Sequence, residues 1–167
     1  MSPESAKTST LQQRAQAAAK SQRALTIKSY KLPPQTEAQI EETLGVFLEQ
    51  MGRGTLKDSL GYCLRELLVN GKKANTKRVY FQIKELDLES DSDYAKGMKT
   101  FKEETFNDIH YWLDKQEEAG LYVRITFQVR GRELFIEVGN NTRITRKEQI
   151  RIYDRIARSR AFRSLEE

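Results

Sequence analysis

Glu66, Asn70 and Lys73 stand at i, i+4 and i+7 in LKDSLGYCLRELLVNGKKAN. On a helix that spacing gathers them within an arc of roughly 60°, at about 100° per residue. A carboxylate held there orients a water as general base, an amide oxygen one turn later ligates a hard cation such as Mg²⁺, and an ammonium meets a phosphate. These are the groups that nucleoside-triphosphate hydrolysis requires. Leu56, Leu60, Cys63, Leu64, Leu67 and Ala74 fill the neighbouring arc and are expected to face a sheet. The polar row then follows the margin of a buried face, where water is limited. Asparagine has poor propensity in mid-helix, so Asn70 calls for a reason beyond a solvated surface.

The flanking segments suggest what holds that helix. Thr36-x-x-Gln39 follows Pro33-Pro34 as a capping box, with Ile40, Leu44, Phe47, Leu48 and Met51 at helical spacing up to Gly52 and Gly54. Thr55-x-x-Asp58 opens the helix that carries the polar row. TKRVYFQIKEL alternates like a strand, with Val79, Phe81 and Ile83 on one face. A third, irregular helix is expected from Tyr94 to Ala119, with Phe101, Phe106, Ile109 and Trp112 as core. LYVRITFQVRGRELFIEVGNN is predicted to form two strands joined by a tight turn at Arg130-Gly131-Arg132. Thr145-x-x-Glu148 caps a last helix in which Ile150, Tyr153, Ile156 and Phe162 alternate with arginines. This order gives an α+β two-layer sandwich, a mixed or antiparallel sheet covered on one face by helices.

CLRELLVNGKKAN resembles the N box of the GHKL superfamily, the histidine kinase and gyrase B type of ATPase, whose pattern is E-x-x-x-N-x-x-K/H-A. The resemblance implies an ATP-binding domain of Bergerat-like fold over residues 35–167, partial at its C-terminal end. It implies Glu66 as the catalytic residue that activates water, Asn70 as the Mg²⁺ ligand and Lys73 near the phosphates. The family's next motif is D-x-G-x-G. Here the stretch is Asn140-Asn141-Thr142-Arg143, so Asn140 stands where the family's aspartate meets the adenine. An amide oxygen still accepts a hydrogen bond there, without the charge. The last of nine glycines is Gly139, and no glycine-rich phosphate-binding lid follows it. The chain is therefore expected to be either a truncated ATPase or a degenerate relative.

Charge placement supplies the alternative. The net charge is +5, with 38% hydrophobic and 32% charged residues. Residues 1–31 hold six basic groups against Glu4, residues 142–167 hold eight against four acids, and residues 32–141 carry 15 basic and 19 acidic groups. The excess belongs to the two ends, which points to a noncatalytic interaction or regulatory protein whose basic ends contact acidic partners or nucleic acid. Residues 1–34, rich in Ser, Gln, Ala and Lys, are expected to form a flexible basic tail. One cysteine, Cys63, and one histidine, His110, exclude an internal disulfide and a Cys/His zinc site. No apolar run approaches the roughly 20 residues that span a bilayer, so a cytoplasmic protein is expected, with a nucleotide and a signalling protein as partners and no membrane contact.

Overall fold

The computed structural model describes residues 3–163. The elements run α1 (Pro3–Lys20), β1 (Leu25–Ser29), α2 (Pro34–Gln50), a single 3₁₀ turn (Gly54–Leu56), α3 (Lys57–Ile83), α4 (Asp91–Asn107), α5 (Ile109–Glu118), β2 (Val123–Arg130), β3 (Glu133–Asn140) and α6 (Arg146–Arg163). Among the described residues the sheet has three antiparallel strands in the order β1-β2-β3. It is an α+β sandwich, as expected from the helix and hairpin pattern.

The hairpin is the element the sequence marks most clearly. Val123, Ile125, Phe127 and Val129 are buried at a period of two, and Arg130 pairs with Glu133, leaving Gly131-Arg132 as the loop. Gly131 takes φ +60°, a conformation that costs glycine nothing and other residues considerably more. Across β2, Leu25 of β1 faces Phe127 and Ile136 of β3 faces it from the other side. On the opposite face Thr26 and Thr126 share a hydrogen bond of 2.9 Å in solvent.

Two expectations are corrected here. Residues 76–83 are not a strand but the last turns of α3, a helix of 27 residues. Thr76, Val79 and Tyr80 are buried at helical spacing while Ile83 is exposed, and Thr76 Oγ1 donates to Lys72 O, one turn back, and to Gln116 Oε1 of α5. The first strand lies instead in the expected tail. Leu25, Ile27 and Ser29 alternate against β2, and Ala15, Ala18 and Ala19 of α1 are buried with Leu32 and α2. Alanine offers little area, but its small side chain lets two helices approach closely, so residues 11–32 pack into the fold.

The caps divide in the same manner. Pro33 caps α2 with Pro34 in its first turn, so the helix starts before Thr36 and the Thr36-Gln39 box does not form. No side chain caps α3 at Thr55 or Leu56 either. Thr145-x-x-Glu148 forms as expected: Thr145 N–H donates to Glu148 Oε2 at 3.0 Å, and Glu148 N–H donates to Thr145 Oγ1 at 3.2 Å.

Helix α3 spans two cores. Its first half, through Leu64 and Leu68, joins the sheet, α1 and α2 around Phe47 and Phe127, whose rings stack 5.5 Å apart. Its second half, through Val79, Tyr80 and Phe81, packs with Phe101 of α4 and Trp112 of α5. Gly97 lets α4 approach, since a Cβ there would lie 2.5 Å from the Phe81 ring. Asp108 breaks the expected long helix into α4 and α5 and caps the second through Tyr111 N–H. Phe101 and Trp112 are core, while Phe106, roughly 140° around α4 from Phe101, and Ile109, the first residue of α5, are exposed.

Candidate functional site

A cleft of about 760 Å³ opens between α3 and α6 above the end of β3. Its α3 wall is Leu67, Asn70, Gly71 and Ala74, continuing to Lys77 and Arg78; its floor is Val138, Gly139 and Asn140. Its α6 wall presents Arg151, Ile152, Arg155 and Arg158. The two helices meet where Arg78 of α3 pairs with Glu148 of α6, and the gap lies between them.

Asn70 and Asn140 therefore meet at one cavity. Glu66 and Lys73 do not line it. Both are exposed, and neither has a hydrogen bond or ion pair among the described residues. The cleft face of α3 is centred near Leu67, Gly71, Ala74 and Arg78, and at about 100° per residue Glu66 and Lys73 lie roughly 110° and roughly 130° from that centre. The expected polar row exists, but only Asn70 touches the margin of the cleft. The expected apolar arc turns in the same sense: Leu64 and Leu68 are buried, whereas Leu56, Cys63 and Leu67 are exposed.

The mouth of the cleft is held by Glu148. Beyond closing the helix cap, its carboxylate accepts Arg78 Nη1 at 2.8 Å and Arg78 Nη2 on its other oxygen, with Lys77 Nζ at 3.5 Å. Arg78 also donates to Arg143 O at 2.7 Å, tying the loop before α6 to α3. Burial alone would raise the Glu148 pKa, but the Arg78 hydrogen bonds, the Thr145 N–H and the charges of Arg78 and Lys77 overcome it and hold it at about 2. On the far side of the same turn Lys147 pairs with Asp91, Arg146 N–H donates to Glu89, and Arg151 donates to the Tyr94 hydroxyl while lying 5.0 Å from its ring centroid.

Asn140 is anchored from below. Asn75, fully buried in mid-α3, accepts Asn140 Nδ2 at 3.1 Å and Thr142 Oγ1 at 3.5 Å. Asn141 bridges Tyr122 N–H and Gly120 O. The Asn140–Thr142 stretch is thus fixed to its own framework, and Asn140 Oδ1 remains without a side-chain partner among the described residues. Sequence reasoning passed over Asn75, although its signal is the one used for Asn70, an asparagine in mid-helix. It also treated Glu148 as a cap alone.

Five cations line the cleft with two carboxylates. Lys77, Arg78 and Glu148 neutralise one another in part, Arg158 pairs with Asp154 at 2.9 Å, and Arg155 has no partner among the described residues. The donor set suits a multiply charged anion. Among the described residues no three His, Cys, Asp or Glu side chains are grouped to hold a metal.

Fold and cleft define an α+β protein with a cationic interhelical site. Over 143 residues, 86% of its length, the chain is 43% identical to an uncharacterized protein of Treponema pallidum (strain Nichols). It spans 28% of that relative's length. No family model and no solved structure matches the chain. No described helix is long and apolar enough to cross a membrane.

Proposed function

We propose that the α3–α6 cleft binds ATP with Mg²⁺, in a domain of GHKL type. The observation that supports this is the meeting of Asn70 and Asn140, distant in sequence, in one cavity rimmed by arginines. Its volume of about 760 Å³ falls in the range of small-molecule sites. Asn140 Oδ1 accepts a hydrogen bond from the base, Arg155 and Lys77 receive the phosphates, and Asn70 touches the phosphate-bound Mg²⁺. Hydrolysis does not follow from this arrangement, because Glu66 and Lys73 stand on the solvent side of α3. The protein acts in the cytoplasm on this reading, consistent with its free, exposed Cys63.

Isothermal titration with a non-hydrolysable ATP analogue and Mg²⁺ tests the proposal, and absence of heat at millimolar ligand sinks it. Arg155→Ala is expected to weaken binding by about 10-fold to 100-fold, the loss of one charge-assisted contact. Asn70→Ala should erase the difference between Mg²⁺ and chelator, while Glu66→Ala leaves binding unchanged.

One observation favours the interaction reading as well. On the side away from the cleft, α6 exposes Ile150, Tyr153 and Ile156 beside Arg146 and Arg160. Mobility shift of nucleic acid across a salt series separates the two, since binding through phosphate neutralisation weakens steeply with ionic strength.

A further inference from the structure

We infer that β3 is a self-association edge and that two copies of the chain join through it into a continuous six-stranded sheet. This goes beyond the nucleotide reading and does not depend on it.

The two edges of the sheet differ. β1 is five residues long and carries Lys28. β3 is eight residues long, ELFIEVGN, without proline, lysine or arginine, and pairs with β2 alone. Exposed edges of that length are normally blunted by prolines, lysines, bulges or a covering element. Beside β3 lies a trough of about 720 Å³, walled by Met51, Leu56 and Leu60 on the helix side and by Leu134 and Ile136 on the strand side. Leu56 is 40% exposed and Phe135 43% exposed. An added strand would satisfy the free backbone groups and lay alternate aliphatic side chains in that trough.

A second β3 has the sequence the trough needs. Antiparallel partners must face each other with residues on the same side of the sheet, so a two-fold axis has to pass through a residue. Centring on Phe135 sets Glu133 against Glu137 twice, and centring on Glu137 sets the two Glu137 carboxylates together. Centring on Ile136 separates every carboxylate from its counterpart, sets Phe135 against Glu137 and Glu133 against Gly139, and brings Leu134 against Val138 over the trough. It is the longest register within β3 in which no like charges oppose one another.

Light scattering after size exclusion, at about 1 to 100 µM protein, is expected to show the mass rising from 19.4 kDa toward twice that value. Phe135→Glu should raise the dissociation constant roughly tenfold or more, because it sets carboxylate against carboxylate at both ends. Adding Glu137→Lys should restore the dimer by making both pairs attractive, a rescue that a misfolded variant could not give. Leu56→Lys, on the helix wall of the trough, should also weaken association. A monomer throughout the concentration range overturns the inference. So does a dimer indifferent to Phe135→Glu, or a Phe135→Glu defect that Glu137→Lys leaves in place.

Discussion

Glu148→Gln is expected to lower stability by about 2–4 kcal/mol at neutral pH and to flatten the loss of stability on acidification. Glutamine keeps the size of the side chain and much of its capping geometry, so the change isolates the charge. In the native fold that charge sits at 17% exposure between Arg78 and Lys77, themselves 14% and 13% exposed. Removing it leaves two little-exposed cations without a counter-charge, a loss larger than that of a surface pair. The proton linkage gives a similar size from another direction. The carboxyl is lowered from 4.5 to about 2 in the fold, which corresponds to roughly 3 kcal/mol; this is the same interaction seen twice and is not added.

That stability is present above the unfolded value and is lost as pH falls through the folded one, so the window lies between about pH 5 and 2. Asp91 and Asp114 are also lowered, by hydrogen bonds to Lys147 and Lys31, but both are solvent-exposed and contribute little. Urea unfolding at several pH values across that window measures the effect. Parallel acid slopes for the native and Glu148→Gln proteins would show that the carboxylate is not the titrating group.

What could be read from the chain depended on how local the deciding contacts are. The β2–β3 hairpin and the Thr145–Glu148 cap are specified within a few residues, so alternation, Gly131 and a four-residue box suffice. Residues 76–83 are different. Val79, Tyr80, Phe81 and Ile83 satisfy a period of two on one selection and a helical period on another, and the choice is made by Gln116 and Trp112, which lie on α5. The first strand escaped notice because Leu25 and Ile27 gain their meaning only when paired with Phe127 and Ile125.

The site divides along the same line. Asn70 and Asn140 were legible as residue types that chemistry needs, and they do share a cavity. Glu66 and Lys73 satisfied the same spacing, but spacing fixes the mutual angle of side chains and leaves open which way the whole row points. That orientation is set by Leu64 and Leu68 beneath the helix and by the sheet contact of Gly71, where a Cβ would meet Val123 at 3.3 Å. Glu148 became a site residue only through Arg78, on a helix 70 residues earlier in the chain.

Phe127→Ala is expected to cost about 3–5 kcal/mol, a large share of the 5–15 kcal/mol that ordinarily separates a folded domain from its unfolded chain. The side chain is fully buried, stacks on Phe47 of α2 and stands on the central strand with Leu25 and Ile136 across from it on either side. Its loss opens a cavity where sheet and helix layer meet, and two strands border it, so collapse around the gap is resisted from both sides. Phe127→Leu keeps most of the volume and should cost less than about 1.5 kcal/mol. Phe106, the same residue type at 84% exposure on α4, gives the contrast. Phe106→Ala should move stability by no more than about 0.5 kcal/mol, although both phenylalanines lie in apolar patterns along the chain. Denaturant midpoints at constant slope measure all three. Equal costs for Phe106→Ala and Phe127→Ala would contradict the outward face of α4 on which Phe106 stands, roughly 140° around the helix from the buried Phe101.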